Sequence, residues 1–144
     1  MSTLSPSMQL VMVLCKTHSD LLKPIESSLS THGINYTELM VMYRLSQSPN
    51  LTLRRIELAN AVNLSASGVT RLLLPMEKIK LVEKQANSRD ARVSLVKLTS
   101  TGQQVLADAL ESFKQSAAWA TQSLDAQQLQ QCLQLLTSLQ PQRT

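Results

Sequence analysis

Within residues 65–71, three short hydroxyl side chains precede one long cation: Ser65, Ser67 and Thr70, then Arg71. That order suits one kind of target. Hydroxyls near the start of a helix let the backbone approach phosphates, and an arginine one turn further on reaches a base edge, its planar fork matching the O6 and N7 acceptors of guanine. Further along, Arg89, Asp90 and Arg92 set a carboxylate beside two guanidinium groups. Asp90 can pair with either and aim it at a groove. Arg54 adds a cation suited to a phosphate.

Little else in the chain can do chemistry. The three glycines, Gly33, Gly68 and Gly102, stand apart, so no phosphate-cradling loop is expected. Two histidines and scattered carboxylates offer no nucleophile with a base and an orienting group, which argues against an enzyme. Cys15 and Cys132 are far apart and lack ligand spacing, so both are expected to be reduced thiols. His18 lies three residues from Cys15. Two ligands without support make a poor metal site, and neither metal nor cofactor is expected.

The elements that must hold these groups can be read from local pattern. Residues 57–65 give a short amphipathic helix, a tight turn at Asn63 and an N-cap at Ser65. Leu58, Ala59, Val62 and Leu64 then face Val69, Leu72, Leu73 and Met76, as in a helix-turn-helix. Residues 81–84 and 93–98 alternate as two strands around a turn at 87–90. Charge follows the same map: residues 54–97 hold nine Lys or Arg against four Asp or Glu, and the rest five against six. The basic excess therefore surrounds the candidate surface, where phosphate neutralisation needs it.

Outside this region, Val11, Leu14, His18, Leu21, Leu22, Ile25 and Leu29 recur at helical spacing, predicting a long first helix bent near Pro24. Asn35 and Glu38 form a capping box for a second helix, which Ser48-Pro49-Asn50 ends, and residues 51–53 read as a short strand. Thr99 opens a long helix with a stripe at Leu106, Leu110, Phe113, Ala117 and Ala120. Asp125 and Gln128 cap a last one carrying Leu129, Leu133, Leu136 and Leu139. A compact wing domain cannot cover the stripes of the first and last two helices, which predicts a partner subunit. No apolar run approaches the roughly 18 residues of a membrane helix, and residues 8–15 lack the marks of a signal peptide. A cytoplasmic protein is expected.

In order, these landmarks resemble the MarR family of winged helix-turn-helix transcriptional regulators. Residues 29–43 resemble the end of helix one and helix two, Glu57-Leu58-Ala59 helix three, 65–71 the recognition helix, and Leu81-Val82 the first wing strand. Asp90-x-Arg92 and Leu98-Thr99-x-x-Gly102 complete the wing and open the C-terminal helix. The resemblance covers almost the whole chain. It implies a mainly α, winged helix-turn-helix fold of about six helices with a small β-hairpin wing, in one domain. Residues 35–99 would form the DNA-binding region, and 1–34 and 100–144 the dimerisation helices. A homodimeric repressor on a double-stranded inverted-repeat operator, released by a small aromatic or oxidant effector, is the implied function.

Tyr36, Met40, Tyr43 and Arg44 are the candidate effector pocket, Arg44 pairing a carboxylate, although the same residues read as ordinary core and surface. Cys15 is the candidate for redox sensing. Two alternatives stand beside the leading reading: a winged-helix interaction module without DNA binding, and a thiol-based peroxide sensor using Cys15. The chain also departs from the family pattern. Pro75 deletes the bond to the Arg71 carbonyl at about 3 kcal/mol, predicting a kink or restart. Lys80 stands where a Gly cap is usual, predicting a strained turn. Arg54 stands where a capping Thr is frequent, so capping is expected to pass to Thr52.

Overall fold

The computed structural model describes residues 3–140. Among them, the chain runs α1 (Pro6–Ser30), α2 (Tyr36–Ser46), β1 (Thr52–Arg54), α3 (Arg55–Ala61), α4 (Ala66–Lys78), β2 (Val82–Ala86), β3 (Ser94–Leu98), α5 (Ser100–Ala120) and α6 (Ala126–Ser138). Helix starts coincide with side chains that accept the otherwise unpaired N–H groups of a first turn. Asn35 Oδ1 accepts from the Glu38 N–H at 2.8 Å while Glu38 Oε1 accepts from that of Asn35 at 2.9 Å. Asp125 and Gln128 repeat the arrangement at 2.8 and 3.0 Å.

The wing has one strand more than the expected hairpin. β3 lies centrally between β2 and β1 in an antiparallel sheet of order β1-β3-β2. β1 joins through the register Thr52↔Lys97 and Leu53↔Val96, which ties the wing to the residues entering α3. One core runs beneath: Leu29 of α1, Leu39, Met42 and Leu45 of α2, Leu58 of α3, Leu73 and Met76 of α4 and Leu98 of β3 are fully buried, joined by Leu106 and Ala109 of α5. The first half of α1 and all of α6 lie outside it, with Met8, Val11, Val13, Leu133 and Leu136 exposed.

The restart expected at Pro75 does not occur, whereas the strained turn expected at Lys80 does. α4 neither breaks nor restarts at Pro75, and α1 continues through Pro24. Pro75 removes one bond near the end of α4, whereas an unbroken helix keeps Val69, Leu73 and Met76 buried on one face. Each such side chain contributes roughly 1.5–3 kcal/mol, enough to offset the lost bond. At Lys80 the strained turn is present, with φ at 63°. The Lys80 N–H bonds the Glu77 carbonyl at 3.0 Å and the Leu81 N–H bonds that of Met76 at 2.9 Å. This is a Schellman ending built on a lysine in the left-handed region. Asn63 takes the same region, φ 57°, as its place between α3 and α4 requires.

Gly102 seals the joint between wing and C-terminal helix. It is buried in the first turn of α5, where its N–H bonds Thr99 Oγ1 at 2.9 Å. A Cβ there would collide with the Leu81 backbone carbonyl and stand 2.6 Å from Leu98 Cδ1. That carbonyl already accepts from the Thr99 N–H, so it cannot yield cheaply. Gly102→Ala is expected to cost at least about 1–3 kcal/mol, read as a lower thermal midpoint, with the exposed Thr101→Ala as unchanged control. An unaltered midpoint would show the joint to be loose.

Candidate nucleic-acid interface

Ser65 closes the turn into α4 by accepting from the Gly68 N–H at 3.1 Å, and its Oγ lies 3.2 Å from Ser67 Oγ. Both hydroxyls are thus gathered at the positive end of the helix, where anions are favoured. Arg71 projects one turn further on. It is exposed, and among the described residues its guanidinium has no hydrogen-bond or ion-pair partner. Thr70 is differently disposed. Its Oγ1 donates to the Ala66 carbonyl at 3.1 Å and accepts from Arg55 Nη1 at 2.9 Å, so its proton is engaged within α4.

The wing tip is built by short-range bonds. Asn87 Oδ1 accepts from the N–H groups of Arg89 (2.8 Å) and Asp90 (3.3 Å). Asp90 Oδ1 in turn accepts from the Arg92 N–H at 3.0 Å and Nε at 3.2 Å, the expected orienting contact. The Arg92 N–H, and after it the guanidinium, holds the Asp90 carboxyl below its ordinary 3.8. Its charged form is therefore the one the fold favours. The clamp is present throughout the neutral range and is lost only as pH falls through that depressed value. Arg89 and Arg92 extend from this tip into solvent.

Arg54 is positioned by Glu57 rather than by Thr52. Glu57 Oε1 accepts from the Arg54 N–H at 3.0 Å and from Nε at 3.1 Å, and the first of these bonds is the main reason its carboxyl is lowered. Thr52 Oγ1 instead donates to the Asn50 carbonyl at 2.7 Å, because Asn50 and Leu51 both take left-handed φ and turn the chain back on itself. Capping therefore does not pass to Thr52. Folding brings Arg54, Thr70 and Arg92 to the rim of one cleft of about 370 Å³, together with Arg55, Ile56 and Ser94. Arg55 is absent from the residues singled out by sequence. Its acceptors lie 15, 22 and 39 positions away, beyond any local pattern.

The four candidate effector residues all lie on α2. Tyr36 packs on Phe113, ring centroids 5.9 Å apart, and Met40 leans on the core. Tyr43 and Arg44 are exposed, and Arg44 lines a separate hollow with Glu57 and Asn60. Cys15 and Cys132 are free and exposed. Among the described residues, no group of three His, Cys, Asp or Glu is placed to hold a metal ion, and no helix is long and apolar enough to cross a membrane.

A short helix α3, a left-handed turn, an exposed helix α4 and a three-stranded wing define a winged helix-turn-helix protein. Residues 34–94 match the model of the MarR family. An uncharacterized HTH-type transcriptional regulator, YhbI, of Bacillus subtilis (strain 168) is 27% identical over 117 residues, which are 81% of this chain and 75% of that protein. Two solved structures share the fold. A cysteine-to-serine mutant of MarR from E. coli, complexed with operator DNA, has a TM-score of 0.87 at 19% identity, covering 98% of this chain and 100% of that one. A MarR family regulator from Streptomyces coelicolor in complex with DNA has a TM-score of 0.85 at 22% identity, covering 96% and 94%.

Proposed function

We propose that this protein is a MarR-type transcriptional regulator, a homodimeric repressor that binds an inverted-repeat operator in double-stranded DNA and leaves it when a small effector binds. The observation that carries DNA binding is the unengaged guanidinium of Arg71 on the exposed side of α4, beside a wing whose Asp90 holds Arg92 extended. A long cation left without a partner, next to cations with aimed geometry, suits base edges flanked by phosphates. Two such surfaces related by a two-fold axis call for an inverted repeat. The DNA complexes of the E. coli and Streptomyces proteins support the reading.

Selection from a randomised duplex pool with the purified full chain tests it. Enrichment of a two-fold symmetric sequence bound in a salt-dependent way is expected. No enrichment and no salt-dependent binding would favour an interaction module instead. On the selected duplex, Arg92→Ala is expected to weaken binding and reduce the slope of log K against log salt by about one, because one phosphate-directed cation is lost. An unchanged slope and affinity would remove Arg92 from the interface. For the effector, peroxide and an aromatic acid titrated against wild type and Cys15→Ser separate a thiol sensor from a ligand sensor.

A further inference from the structure

Arg55 is the most completely engaged cation of the DNA-facing side, and every group it engages belongs to another element. Its Nε donates to Ser94 Oγ at 3.1 Å, where β3 begins, and its Nη1 to Thr70 Oγ1 at 2.9 Å, in the middle of α4. Its Nη2 faces Glu77 Oε1 at 3.4 Å, in the last turn of α4. Only 21% of its side chain is exposed, against 54% for Arg54 and 92% for Arg92. One planar fork thus joins the start of α3, two turns of α4 and the point where the wing-tip loop enters β3.

Resting on the DNA-binding reading above, we propose that Arg55 is a positioning residue: it fixes the angle between the recognition helix and the wing, and sequence-specific binding depends on it without its touching DNA. A base-reading helix and a wing read adjacent grooves together only if their relative pose is held, and misplacement by about 1 Å at a positioned site is costly. The fork suits this task because three of its five N–H donors point in fixed directions to three acceptors. A lysine ammonium in the same place lacks that planar spread. The arrangement also gives Thr70 its role. By accepting from Arg55 and donating to Ala66, its hydroxyl serves the joint instead of the DNA.

Three full-length variants test the assignment on the duplex selected with wild type and on a random duplex, across a range of salt. Arg55→Met is expected to weaken the selected duplex about tenfold or more, while the salt slope and random-duplex affinity stay at wild-type values. Arg55→Lys should not restore specificity, and Thr70→Val, which keeps the shape but removes the acceptor, should lose it in the same direction. In the free protein, Arg55→Met should speed amide hydrogen exchange over 87–94, a readout independent of DNA. Equal losses on both duplexes with a slope lower by about one would make Arg55 a phosphate contact and overturn the proposal, as would unchanged affinity and exchange. If Arg55→Met fails to fold, Thr70→Val carries the same test. If wild type itself binds no DNA, the functional reading fails, and with it the role in specificity, while exchange still reports whether the joint exists.

Discussion

Leu133→Asp is expected to halve the sedimenting mass, from twice 15.9 kDa to a single chain, to lower the thermal midpoint and to remove the midpoint's dependence on protein concentration. In one chain taken alone, Leu133 on α6 is 58% exposed. A carboxylate at such a site changes stability by at most about 0.5 kcal/mol. Buried without a partner between subunits, the same carboxylate costs about 3–5 kcal/mol. The choice between these magnitudes follows from surface area. The chain exposes 10353 Å², roughly 3,000 Å² more than a compact monomer of its mass. The exposed apolar side chains concentrate on the first half of α1 and on α6. A second copy is the proposed cover, and operator binding should be lost along with dimerisation. An unchanged mass and midpoint would leave the helices covering nothing and would sink the dimer.

Arg71→Ala should weaken the selected duplex by roughly 5- to 150-fold, the 1–3 kcal/mol of a bidentate base contact, and relax preference at one position of each half-site. Random duplex should be bound nearly as before. Among the described residues the side chain makes no bond, so its removal leaves no buried partner unsatisfied there and the thermal midpoint should not move. That combination separates Arg71 from Arg55, whose removal should disturb the free protein as well. Equal losses of Arg71→Ala on both duplexes would instead make it a phosphate contact.

What the sequence by itself determined about this protein is whatever acts over three or four residues. The capping boxes at Asn35 and Asp125, the Ser65 and Thr99 caps, the left-handed Asn63 and the Asp90 to Arg92 clamp are all bonds between near neighbours, so residue types at fixed spacing were enough to locate them. Apolar periodicity did the same for the helices, and with them for the winged helix-turn-helix. Tertiary structure alone decided the rest, because burial and long-range acceptors have no local signature. Pro75 is tolerated because the face it interrupts is buried on both sides of it. β1 becomes a third wing strand because Thr52 meets Lys97 across the fold. Thr70 accepts a bond from an arginine fifteen residues earlier, which no local pattern shows. Arg55 itself looked no different from Arg54 in sequence; their partners, distant for one and local for the other, set them apart.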